Sequence, residues 1–263
     1  MGGGDLSPVE MAKYVAARRA LDFVEDGMRL GLGTGSTAAW LVRLLGEAVR
    51  EGGLKITAVA TSGRTAELAA EMGIAVRPLD EVRWLDLTID GADEVDPSLN
   101  LIKGGGGALL QEKIVATASD QMVVITDASK MVETLGAFPL PVEVVRFGWE
   151  TTKALIEESL VNVDVLGRSA ALRLAGETPF VTDEGHYILD LDLKRIGNVR
   201  QLSLVLNQIP GVVENGLFID ICDSVVIGHG DGTVELRDIN TGAVTQEKVG
   251  IAEDDNIFTD IAD

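Results

Sequence analysis

The chain predicts an α/β protein: a mostly parallel sheet covered by helices, with an α+β unit inserted late. Three observations carry this. Short apolar strands alternate with helical segments from about residue 28 to residue 127. The unusual loops fall at the carboxyl ends of those strands, where such sheets bind ligands. After Phe138 the order changes to strand, helix, strand, strand, helix, strand, the succession of a ferredoxin-like unit.

The elements follow in chain order. Ser7-Pro8-Val9-Glu10 is a helix start: Ser7 caps, Pro8 takes the first position, and Glu10 completes a capping box. This helix is expected to run to about Val24, with Lys13 in its second turn. A strand over 28–31 enters GLGTGSTAAW, and Leu41, Leu44, Leu45, Ala48 and Val49 then recur at helical spacing. ITAVA, the weaker AVRPL and WLDLTID read as strands, with a helix over TAELAAEMG between the first two. ALLQEKIVATAS is a helix and MVVITD a strand.

The second block is predicted as strand 142–147, helix 149–160, strands 170–174 and 187–193, helix 199–209 and strand 212–219. In YILDLDL, Leu189, Leu191 and Leu193 face one way and Asp190 and Asp192 the other, a half-buried strand. SVVIG is a further strand, expected to return to the first sheet. The segmentation is therefore 1–137, an insertion over 138–219, a return over 220–245, and an acidic extension over 246–263 expected to be solvated or partly ordered.

Composition narrows the function. The 263 residues are 46% hydrophobic and 4% aromatic, which suits a sizeable core in α/β layers and opposes disorder. Net charge is -20, from 22 Lys and Arg against 42 Asp and Glu. That field disfavours nucleic acid and anionic membranes, so any phosphate site must be built locally. Cys222 is the single cysteine, so no intramolecular disulfide forms. With two histidines, His186 and His229, a His-rich metal site is excluded. MGGGDLSPVE lacks a basic region followed by an apolar run, and no stretch is apolar enough to span a membrane. A cytoplasmic setting is expected.

The loops carry the chemistry. Gly33, Gly35 and Ala38 match the dinucleotide pattern G-x-G-x-x-A, yet the second strand ends in ATSGRT, without the acid an NAD site wants. Arg64 there could meet a 2′-phosphate, so an NADP enzyme stays open. The simpler reading is a phosphate loop, with Thr34, Gly35, Ser36 and Thr37 opening a helix; a plain strand-to-helix turn is the alternative. Asp90-Gly91-Ala92-Asp93 follows a strand, and its acids could bind sugar hydroxyls or move a proton. Ala92 breaks the EF-hand pattern, and Asp96 before Pro97 is assigned a structural role.

Lys103 precedes four glycines, Gly104 to Gly107, which are costly to order and permit close backbone approach. Lys103 could stabilise charge developing on oxygen, and Glu112 on the next helix could be a general base. Alternatively, Glu112 is an exposed helix residue. Lys130 in DASK follows another strand and suits a phosphate or hydroxyl. Cys222 is expected in the core and His186 in a turn; neither forms a nucleophilic pair with His229.

These stretches together resemble a known family. GLGTGSTAA (31–39), TSGRTAELAAEMGI (61–74), DGADEVD (90–96), IKGGGGALLQEKI (102–114), TDASK (126–130), FPLPVEV (138–144) and IPGVVENGLF (209–218) are similar, in order and spacing, to the type A ribose-5-phosphate isomerases. The resemblance implies a Rossmann-like domain with a ferredoxin-like insertion. It implies reversible conversion of D-ribose 5-phosphate to D-ribulose 5-phosphate through a cis-enediolate, without metal or nucleotide, in a homodimer or homotetramer. Glu112 would be the proton acceptor and Lys103 the oxyanion stabiliser. Asp90 would handle the ring-opening proton and Asp93 the hydroxyls. Substrate contacts are implied at Lys13, Thr34 to Thr37, Asp90 to Asp93, Lys103 to Gly106, and Lys130. A phosphosugar sensor without turnover is the rival from another class. Two residues depart from the family pattern: Gly107 stands where alanine is common and is expected to loosen its loop, and His186 replaces a common Asn.

Overall fold

The computed structural model describes residues 6–250. The fold is mixed α/β, and it separates into two compact units. The first comprises the described residues up to Gly91, Val115–Ser129, and those from Asp223 onward; the second comprises Ala92–Ile114 and Lys130–Cys222. This division differs from the sequence segmentation by placing Ala92–Ile114, 130–137 and 220–222 with the later block.

Among the described residues the first unit carries an eight-stranded sheet. From one edge its strands are Ala75–Val76, Thr57–Ala60, Arg29–Leu32, Leu87–Asp90, Met122–Asp127 and Ser224–Gly228, all parallel. Thr233–Asp238 and Val244–Lys248 then add antiparallel. Leu30, Leu32, Val123, Val124 and Ile125 are 0% exposed, as expected of parallel strands covered on both faces. Helix Ser36–Gly52 buries Leu41, Leu44 and Leu45, the face its spacing predicts. Its Trp40 meets Tyr14 of helix Pro8–Ala20 edge to face, with ring centroids 5.5 Å apart.

Ser7 caps the first helix by accepting from the Glu10 N–H at 3.2 Å. Glu10 does not close a capping box, because its carboxylate takes Lys13 Nζ at 2.7 Å and Trp40 Nε1 at 2.8 Å instead. The α-helix ends at Ala20, and Leu21–Phe23 forms a 3₁₀ turn. The start of the expected extension, 246–248, belongs to the strand Val244–Lys248, which pairs with Thr233–Asp238 and is exposed along its length. Residues 251–263 of that extension lie outside the described residues.

The second unit has a four-stranded antiparallel sheet in the order Val212–Asn215, Leu140–Val144, Tyr187–Asp192, Ser169–Leu172. Helices Trp149–Ser159 and Val199–Asn207 complete the strand–helix–strand–strand–helix–strand succession. The strand predicted over 212–219 is divided. Val212–Asn215 pairs in the larger sheet, while Leu217–Phe218 pairs with Leu101–Ile102 in a three-stranded sheet that also includes Glu94–Val95. Ile102 and Leu217 share one apolar cluster with Leu140 and Val142, which explains why Ala92–Ile114 belongs to this unit.

Candidate active site

In the first unit the strand Leu87–Asp90 ends on a wholly buried Asp90. Its Oδ1 accepts the N–H groups of Thr34, at 3.1 Å, and Gly91, at 2.7 Å. Gly33 permits this approach: a Cβ there would lie 2.0 Å from Asp90 Oδ1. The Asp90 carboxylate and the phosphate-type loop are therefore one construction. Thr34 is 8% exposed, and its hydroxyl joins Thr61, Ser62 and Thr65 at 2.8 to 3.2 Å. Gly35 occupies the N-cap of the next helix without a capping side chain, which leaves the first N–H groups of Ser36 and Thr37 without a local acceptor. Ser36 is exposed. Gly35 and Ser36 line a groove of about 440 Å³ together with Arg43 and Arg64. Lys13 is paired with Glu10 at 2.7 Å. Burial pushes the Glu10 carboxyl up, but hydrogen bonds from Lys13 and Trp40 outweigh it and hold it below the usual range.

In the second unit Lys103 and Glu112 form an ion pair of 3.3 Å, with side chains 2% and 4% exposed. Lys103 ends the extended segment after Leu101–Ile102, and its N–H donates to Gly216 O at 2.9 Å. Glu112 lies in the first turn of helix Leu109–Thr117. The residues beside it are clamped: Gln111 donates to Glu184 at 2.6 Å, and Lys113 donates to Glu214 at 3.0 Å and Asn215 O at 2.6 Å. Burial pulls the Lys113 ammonium down despite its Glu214 partner. The Phe218 ring lies 5.5 Å from Lys103 Nζ and 4.9 Å from Lys113 Nζ. The exposed-helix alternative for Glu112 is thus ruled out by its burial.

Asp93 follows Ala92, and its Oδ2 accepts from the Gly105 N–H at 2.7 Å. Asp96 accepts from Ser98 and Asn100, the structural role expected of it. Gly107 does not loosen the loop. It is buried with φ +85°, donates to Gly104 O at 3.0 Å, and a Cβ there would lie 2.4 Å from the Phe180 ring. Lys130 is half-buried, with Nζ 6.0 Å from the Phe138 ring centroid.

His186 follows a turn and meets the buried Glu143 at 2.9 Å, beside a Thr182 hydroxyl that donates to the same oxygen. Burial pushes the Glu143 carboxyl up against both hydrogen bonds. Cys222 is buried. Among the described residues no group of three or more His, Cys, Asp or Glu side chains could hold a metal ion, and no helix is long and apolar enough to cross a membrane.

Sequence reasoning did not single out three residues that contact this region of the second unit: Arg173, Phe218 and Glu94. Glu94 accepts the N–H groups of Gly136 at 2.7 Å and Phe138 at 2.6 Å. Its place inside DGADEVD was the available signal. Phe218 closes IPGVVENGLF, one of the stretches that carry the resemblance, whereas Arg173 lies far along the chain from the glycine loop and carried no signal.

Comparison with known proteins agrees with the motif order. The family Ribose 5-phosphate isomerase A (phosphoriboisomerase A) matches residues 57–232. The ribose-5-phosphate isomerase A of Ruegeria pomeroyi is 72% identical over 260 residues, covering 99% of each chain. A solved D-ribose-5-phosphate isomerase in complex with phospho-erythronic acid superposes with a TM-score of 0.79 at 38% identity, covering 93% of this chain and 100% of the other. The Plasmodium falciparum ribose 5-phosphate isomerase gives 0.80 at 32% identity, covering 92% and 100%.

Proposed function

We propose that Glu112 is the acid–base group of this chain, which belongs to the ribose 5-phosphate isomerase A family and catalyses interconversion of D-ribose 5-phosphate and D-ribulose 5-phosphate. One observation carries the assignment. Lys103 and Glu112 are an ion pair taken almost wholly out of water. Desolvating two charges costs about as much as their attraction returns, so apolar residues would serve packing as well. Proton transfer beside a cation gives this pair a use.

The chemistry then runs as follows. The sugar opens to its aldehyde: Asp90 takes the O1 hydroxyl proton and passes it to the ring oxygen as the bond from C1 to that oxygen breaks, and Asp93 binds hydroxyls. Glu112 removes the proton from C2, which the C1 carbonyl acidifies. The electron pair moves into a C1–C2 double bond, and O1 becomes an oxyanion. Lys103 and N–H groups of the glycine loop stabilise that charge. The O2 proton passes to O1, Glu112 returns its proton to C1, and C2 becomes the ketone. A planar cis-enediolate presents C1 and C2 on one face, so a single carboxylate serves both steps. Ser36 and Thr37 at their helix start, with Gly35, Lys13 and Lys130, are assigned to the phosphate. Binding that remote group helps orient the reacting end.

The first test is turnover of D-ribose 5-phosphate in deuterated water by EDTA-treated protein without added nucleotide, followed by proton NMR. Ribulose 5-phosphate carrying deuterium at C1 is expected in part of the product. No product from folded protein at high concentration would refute the isomerase assignment and leave the sensor. Lys130→Ala is expected to weaken phosphosugar binding roughly tenfold, the size of one lost charge-assisted hydrogen bond. An unchanged dissociation constant in calorimetry would remove Lys130 from the phosphate site. A homodimer or homotetramer is also proposed, and sedimentation equilibrium distinguishes them.

A further inference from the structure

We infer that Arg173 is a positioning residue for the reaction: it turns the glycine loop so that two consecutive N–H groups face one side, the first holding Asp93 and the second presenting to the oxyanion. The inference rests on the proposed role of that loop.

Arg173 lies just past the strand Ser169–Leu172. Its Nη1 donates to two successive carbonyls of the loop, Gly104 O at 2.8 Å and Gly105 O at 3.1 Å. Two carbonyls aimed at one nitrogen give their peptide planes a common orientation. The peptides of the loop are trans, with no cis peptide bond among the described residues, so each following N–H points opposite its carbonyl. The N–H groups of Gly105 and Gly106 therefore both face away from Arg173. Successive N–H groups directed to one side form an anion-binding nest.

The loop already shows that preference. On the side away from Arg173, the Gly105 N–H holds the Asp93 carboxylate at 2.7 Å. Gly106 is exposed, and its N–H takes no partner among the described residues. It is the donor we assign to the substrate oxygen.

Arg173 is itself seated firmly. Its Nε and Nη2 bind Asp190 at 2.9 and 2.5 Å, a two-point carboxylate clamp. The guanidinium carbon lies 6.0 Å from the centroid of the Phe180 ring, the ring that also meets Gly107. A lysine could not make this contact, because a point charge lacks the fork that holds Asp190 and two carbonyls together. Freed of Arg173, the flexible Gly104–Gly105 peptides would rotate, and the N–H groups would lose their common direction before the reaction rather than during it.

The test compares two ligands in calorimetry. 4-Phospho-D-erythronate carries a carboxylate where charge develops on the substrate; ribitol 5-phosphate carries none. Wild-type protein is expected to prefer the carboxylate. In Arg173→Ala that preference should fall by roughly 10²-fold, with kcat falling in parallel and KM for ribose 5-phosphate changing less than about threefold. Ribitol 5-phosphate affinity should not move. Asp190→Asn keeps the guanidinium but loosens its seat, and should shift the same ratio in the same direction. It decides the question if Arg173→Ala does not fold.

A preference present in wild type and unchanged in the folded variants overturns the Arg173 role alone. Equal weakening of both ligands overturns it too, in favour of a merely structural residue. No preference in wild type overturns the oxyanion role of the loop itself.

Discussion

Glu112→Gln is expected to lower kcat roughly 10³-fold while leaving ribose 5-phosphate binding within about threefold, the signature of a lost general base. The amide keeps the size and an acceptor oxygen for Lys103 but cannot take the C2 proton. Because the carboxylate is 4% exposed and 3.3 Å from Lys103 Nζ, bulk water cannot readily replace it as base. Steady-state isomerisation gives kcat, and calorimetry of the inactive variant gives affinity directly. Normal turnover by a folded Glu112→Gln protein would remove Glu112 from the reaction.

Lys103→Met is expected to act twice. It removes a cation from the developing oxyanion, which should cost roughly 10²- to 10³-fold in kcat. It also leaves the Glu112 carboxylate buried without its charge partner, a loss of about 3–5 kcal/mol in stability. The two effects separate in the double variant Lys103→Met/Glu112→Gln. There neither charge remains, so urea denaturation should show stability recovered relative to Lys103→Met, while turnover stays lost. If Lys103→Met turned over normally, the charge on O1 would have to be met elsewhere. Stability in the double variant no better than in the single one would show that the ion pair is not what makes Lys103 necessary to the fold.

Much of the fold was legible because its signals are local. Leu41, Leu44 and Leu45 recur at helical spacing and form the buried face of Ser36–Gly52. MVVITD opens with four apolar residues and is the strand Met122–Asp127. The misses have one physical origin. Glu94–Val95 and Leu101–Ile102 are two-residue strands, too short to carry any period. The stretch 212–219 has a single strand-like composition, yet its two halves pair in different sheets. Gly216 lies at that division, where a Cβ would come within 2.3 Å of Lys103 O. A close approach between residues so far apart in the chain leaves no trace in either local pattern.

The site divides along the same line. Asp93, the four glycines, Lys103 and Glu112 fall within one short stretch, so residue type and order alone marked them as chemistry, and the match in motif order tied them to a family. The sequence alone also determined the net negative charge, the lack of any intramolecular disulfide and the alternation of strand and helix, because each is a sum or a period over residues. Tertiary structure alone decided that Glu10 serves Lys13 and Trp40 rather than a capping box, that Lys103 and Glu112 are desolvated together, and that Arg173 holds the carbonyls of Gly104 and Gly105. Burial and peptide orientation depend on which distant residues fold over a segment. No local pattern of side chains encodes them.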